Sequence, residues 1–219
     1  MPRRYLLWIR DLVPIVVLAV GAGPAVAQVR LELEPAIGVY AGFGSFRQPA
    51  TRDPFSFPQT LSQRPSVALG AQLTAWLGTR VGVRMLLFSA ASRVGPEERD
   101  PLNREPVPSR ITAAGLEALV PLRAVTSRGR VFVSGGATLL HRGGEAYEGF
   151  QGTTDLGGTV GLGSQFRLTE RLSLQGDVRA LLYQVALTDP SAREYPSAFQ
   201  TDLLVHIGLV LGLSPWVRD

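Results

Sequence analysis

His141 and His206 are the only imidazoles in the 219-residue chain, so histidine-based acid–base or nucleophilic chemistry must run through one of them. Asp202 lies four residues before His206. In an extended strand the two share a side but sit about 13 Å apart, too far for a direct hydrogen bond. His141 is followed by Arg142 and Gly143 rather than by the serine of a His-x-Ser pair. The chain has no cysteine, which removes thiol nucleophiles, disulfides and cysteine-ligated metals. GGATLL at 135–140 and GLGS at 161–164 read as strand glycines rather than as a phosphate-binding loop. The expectation is therefore no catalytic residue, no cofactor and no metal. The more numerous chemistry is electrostatic. Arg30, Glu32, Glu34, Arg84, Glu117, Arg167, Asp177, Arg179 and Asp202 all fall on the polar side of alternating segments.

The elements that must carry these residues are strands. From Phe199 to Leu213 every second residue reads Phe199, Thr201, Leu203, Val205, Ile207, Leu209, Leu211, Leu213, while the other side carries Gln200, Asp202, His206 and glycines. The same alternation recurs over 29–43, 66–77, 80–92, 109–123, 130–141, 155–168 and 172–187. It weakens at LLFSAAS in the third segment. Connections alternate in length. Proline-rich or charged stretches at 44–65, 94–108, 142–154 and 188–198 alternate with tight links at 78–79, 126–129 and 169–171. The prolines of 44–65 are expected to exclude any ladder there.

Composition narrows the class further. All 22 basic residues are arginine, and the formal net charge is only +4. Scattered arginines without a stripe or patch do not suggest nucleic acid. Residues 1–27 have the three parts of a secretory signal: Arg3, Arg4 and Arg10, an apolar run from Leu12 to Ala22, and Ala25-Val26-Ala27 before Gln28. The expected division is a signal peptide at 1–27 and one β-barrel domain at 28–219. The remaining chain has no apolar run long enough for a membrane helix. Any membrane entry must be as a closed barrel.

Eight spanning-length segments, an even strand count, and short links at one end against long loops at the other form the layout of a bacterial outer-membrane barrel. With these features and a last strand ending in LVLGL, the chain resembles the small eight-stranded outer-membrane β-barrels that include the transmembrane domain of outer membrane protein A. The resemblance covers the whole chain after residue 27. It implies an all-β, antiparallel up-and-down transmembrane barrel with both ends on the periplasmic side. It also implies insertion by the barrel-assembly machinery, which is thought to read a terminal aromatic; here the chain runs on from Pro215 to Asp219, with Trp216 as the nearest aromatic.

An eight-stranded barrel is just wide enough to be filled by side chains. The expected lumen is a structural ion-pair network of Glu32, Glu34, Arg84, Glu117, Arg167, Asp177, Arg179 and Asp202, with Arg84 or Arg179 as the arginine partner of Asp202. The expected function is structural, adhesive or surface-interacting, without catalysis, in the outer membrane. Expected partners are the outer-membrane lipids, with a monomeric state; loop arginines such as Arg52, Arg93, Arg99, Arg104 and Arg193 read first as solvated loop charge, with lipopolysaccharide phosphates as the alternative ligand. Two alternatives are a narrow small-solute or ion pore, and a soluble periplasmic lipocalin-like binder with the Leu/Val face turned inward.

Overall fold

The structure is a computed structural model that describes residues 29–42, 45–47, 60–78, 80–96, 105–122, 129–188 and 198–213. Residues 1–27, expected to be a signal peptide, and Phe43, Arg52, Arg99, Arg104, Arg193 and Trp216 lie outside them. Ten strands run in chain order: β1 (Val29–Gly42), β2 (Ser45–Arg47), β3 (Thr60–Gln63), β4 (Ser66–Leu77), β5 (Val81–Pro96), β6 (Val107–Pro121), β7 (Gly129–Gly143), β8 (Thr154–Arg167), β9 (Leu172–Val185) and β10 (Ala198–Gly212). β1 and β4 to β10 each pair antiparallel with their chain neighbours, and β1 pairs with β10, so the eight long strands close into an up-and-down barrel. Closure leaves no unpaired long edge, the requirement for a sheet in lipid.

Alternation sets the sidedness as the sequence implies. Leu69, Met85, Leu87, Leu116, Leu139, Val160, Ile207 and Phe199 are exposed on the outside, while Glu32, Arg84, Glu117, Asp177 and Arg179 are buried inside. Contiguous apolar surface of this extent is foreign to a water-facing protein and is the lipid-facing girdle of a membrane barrel. The lipocalin-like alternative required the opposite sidedness and is overturned by this burial pattern.

Two local expectations are corrected. The 44–65 stretch does carry a ladder: β2 pairs with β3, and β3 pairs with the end of β5 through Leu61–Pro96, Ser62–Gly95 and Gln63–Val94. The paired run Thr60–Gln63 lies between Pro58 and Pro65 and contains no proline, so its amides remain available. β5 also runs on through the weakly alternating segment to Pro96. Alternation fades there because the inward row, Leu86, Phe88 and Ala90, is itself apolar and buried.

Candidate functional site

The lumen is built in three levels. Nearest the short turns, Glu32 of β1 is the centre. Trp76 Nε1 donates to its Oε2 at 2.9 Å and Gln165 Nε2 donates to the same oxygen at 3.2 Å. Arg130 Nη2 and Arg30 Nη2 each lie 3.0 Å from its Oε1. Arg130 also covers the Trp76 ring at 4.1 Å, and Trp76 meets Phe132 edge to face at 6.1 Å. Gly163 leaves room for this stack: a Cβ there would fall 2.4 Å from Phe132 Cζ. A carboxylate taken out of water needs such a complement of donors, because burial of an unpaired charge is strongly unfavourable.

The middle level crosses the barrel. Arg84 Nη1 donates to Asp177 Oδ2 at 2.8 Å and lies 3.8 Å from Glu117 Oε2, and Arg84 Nε reaches Thr74 Oγ1 at 3.3 Å. Arg179 Nε lies 2.8 Å from Glu117 Oε1, and its Nη2 is 3.3 Å from Asp177 Oδ2. Thr159 Oγ1 donates to Glu117 at 2.7 Å. His206 places Nδ1 2.9 Å from Asp177 Oδ1 and Nε2 3.5 Å from Glu34 Oε1, and the Gln72 amide also contacts Nε2. Gln175 Nε2 donates to Glu34 Oε2 at 2.7 Å. The Arg84 side chain is wholly buried. Each member thus shares partners with others, and guanidinium forks suit this geometry better than ammonium groups.

Toward the long loops the interior turns apolar. Leu86, Phe88, Ile111, Leu140, Leu181 and Leu204 form a packed cluster with Tyr40 and Tyr183. Both tyrosine hydroxyls donate to Asp202 Oδ2. Arg142 pairs with Asp155 and lies over the Tyr183 ring at 4.9 Å. Above them Tyr147, in a short 3-10 turn (Glu145–Tyr147), donates to Gln63 Oε1 at 3.2 Å, and Gln63 Nε2 donates to Ser109 Oγ at 2.7 Å. Burial pushes the Tyr147 phenol up to about 12, so it remains a donor at neutral pH.

Of the residues singled out in the sequence, Glu34, Arg84, Glu117, Asp177 and Arg179 meet in the middle level, and Glu32 anchors the level below. Arg167 is half-buried at the short-turn end of β8 rather than in the centre. Asp202 stands in the upper level with two phenol donors, while Arg84 and Arg179 engage Asp177 and Glu117. Sequence reasoning missed Arg130, Arg142 and Asp155 as lumen residues. The inward parity of β7 and β8 carries that signal: Arg130, Phe132, Leu140 and Arg142 sit at even positions of β7, and Asp155, Thr159 and Gln165 at odd positions of β8. His206 lies inside the wall, with Nδ1 2.9 Å from Asp177 Oδ1 and Nε2 against the Gln72 amide. His141 faces outward with Nδ1 at 2.9 Å from Thr154 Oγ1. Among the described residues no group of three His, Asp or Glu side chains is arranged to hold a metal ion.

A closed antiparallel eight-stranded barrel with an apolar girdle and a polar, packed lumen defines the chain as a transmembrane barrel of the outer-membrane type. Solved structures share the fold at low identity. It is similar to outer membrane protein OprG from Pseudomonas aeruginosa, with TM-score 0.61 and 13% identity over 85% of this chain and 97% of that one. It is likewise similar to outer membrane protein AlkL in lipid bilayers, with TM-score 0.62 and 12% identity over 91% and 96%. Outer membrane protein W of E. coli matches with TM-score 0.52 and 12% identity over 86% and 100%. No protein-family model matches the chain, and no curated protein sequence matches it.

Proposed function

We propose that the chain is a bacterial outer-membrane barrel whose lumen is closed by its own side chains, and that it acts as a structural or surface-interaction element without transport or catalysis. The observation that carries this reading is the fully buried crossing of Arg84–Asp177 and Arg179–Glu117. A small cavity in the wall beside them, lined by Ala36, Gly38, Ala68, Gly70 and His206 together with the exposed Leu69 and Leu87, measures about 20 Å³, room for roughly one water. Planar-bilayer recording of the refolded protein tests the reading: no steady conductance is expected, and discrete channels overturn it.

One observation favours a narrow pore as the second reading. Asp177 is shared by Arg84, Arg179 and His206, so these side chains can exchange places without leaving the carboxylate bare. A pore that opens this way conducts intermittently in the same recording, and variants of His206 change its open time.

A further inference from the structure

Among the described residues a cluster of arginines with one histidine lies outside the lumen. Arg64, Arg93, Arg110 and His141 line an open groove of about 670 Å³ on the outer wall at the long-loop end of β5, β6 and β7. Strand register brings them together: Ala91 stands opposite Arg110, Arg93 opposite Pro108, Arg110 opposite Gly143, and Thr112 opposite His141. Arg64 is tied to the same rim, its N–H donating to the Arg93 carbonyl at 2.9 Å and its own carbonyl accepting from Ser92 Oγ. A Cβ on Gly143 would stand 3.5 Å from His141 Nε2, so the imidazole lies over the bare glycine. None of the 11 lining residues is acidic.

The height of the groove matters as much as its charge. Val120 and Arg110 are both outward on β6 and ten residues apart. At a rise of ~3.4 Å and a tilt of ~40° that spacing spans ~25 Å, the height of a barrel girdle. Leu116 and Leu139 occupy the apolar band between, and the guanidinium of Arg110 emerges where lipid headgroups begin. Around the rest of the wall the outward residues near this height are Val39, Val67, Thr154, Gln184 and Thr201, none of them charged. Among the described residues near this height the arginines are therefore confined to one sector.

We propose that this groove binds the phosphate-bearing headgroup of a lipid in the outer leaflet, with Arg93 and Arg110 as the phosphate clamps and Arg64 and His141 closing the two ends. Planar guanidinium groups take phosphate oxygens in pairs, and a lipid alone reaches the groove with its chains against the girdle directly below. The proposal rests on the membrane-barrel reading above. The test uses the refolded full chain in phosphatidylcholine nanodiscs doped with bisphosphorylated lipid A or with its dephosphorylated form, and measures lipid retained after dilution by native mass spectrometry. Retention of the bisphosphorylated lipid is expected, with R93Q/R110Q retaining it about tenfold less and R110Q alone intermediate. Equal retention by wild type and R93Q/R110Q, equal retention of the dephosphorylated lipid, or release by inorganic phosphate or an acidic peptide at lipid-equivalent concentration overturns the proposal. Heat-shifted migration on a detergent gel reports the barrel independently. A chain that inserts without discriminating phosphate refutes the groove alone, and a chain soluble without detergent refutes both.

Discussion

Breaking and then replacing the Arg84–Asp177 pair measures what holds the lumen shut. In R84M the Asp177 carboxylate loses its 2.8 Å donor and Glu117 loses a cation at 3.8 Å, in a place where Arg84 has no exposed side-chain surface. Removing one member of a buried pair costs about 3–5 kcal/mol, because the survivor stays charged and out of water. D177L strands Arg84 and deprives His206 of its 2.9 Å contact, with a loss of the same size. In R84M/D177L the remaining Arg179–Glu117 contact of 2.8 Å still balances one charge with the other. The double variant is therefore expected to lose less than the sum of the singles, by at least about 2 kcal/mol of coupling. Urea unfolding from lipid vesicles, followed by heat-shifted migration and by the fluorescence of buried Trp76, gives all four corners of the cycle. Single variants whose effects add within about 0.5 kcal/mol would refute the claim that these charges stabilise the lumen as a pair.

Three further outcomes follow from the packing. L116R puts a guanidinium on the girdle, where Leu116 is 56% exposed, and should destabilise the inserted state by about 2–4 kcal/mol, read as a lower urea midpoint in vesicles. Y40F and Y183F each remove one hydroxyl donor from Asp202 and should each cost about 1–3 kcal/mol, with Y40F/Y183F worse than either in the same assay. G163V drives a side chain into Phe132 and Asp177 Cβ, at 2.4 and 2.8 Å from the built Cβ. A loss of at least about 1–3 kcal/mol is expected, and F132A should recover part of it.

The barrel was legible because alternation has a single cause along most of the wall, lipid outside and polar groups inside. Where that cause changes, the reading weakened. In the upper half of β5 the inward Leu86, Phe88 and Ala90 face an apolar cluster, so both faces look alike. The β2–β3 ladder was hidden by flanking prolines whose effect stops short of the four residues that pair. Sidedness of the charged residues followed from parity, but partnership did not. Partnership depends on the stagger between strands: Gly42 stands opposite Asp202, and Leu204 opposite Tyr40, and this offset turns Asp202 toward the two phenols. Arg130 and Arg142 share the parity of the inward residues, but Arg142 lies just beyond the 130–141 segment, in a stretch whose polar and glycine content reads as loop, whereas β7 runs on to Gly143.

The crossing bonds of the lumen have a kinetic consequence. Arg84 and Asp177 are 93 residues apart, Arg130 and Glu32 are 98 apart, and Tyr40 and Asp202 are 162 apart. None of these contacts exists in a hairpin or in any run of four long strands consecutive in the chain. β10 supplies Asp202 and His206, whose partners lie on β1 and β9 as well as β4, so the last strand of the barrel completes both the wall and its interior. A partly inserted sheet would present bare arginines and carboxylates to hydrocarbon, and contacts of such long range form late. Closure of the β1–β10 seam is therefore expected to precede stable insertion, and a variant lacking β10 is expected to show no heat-shifted migration on a detergent gel.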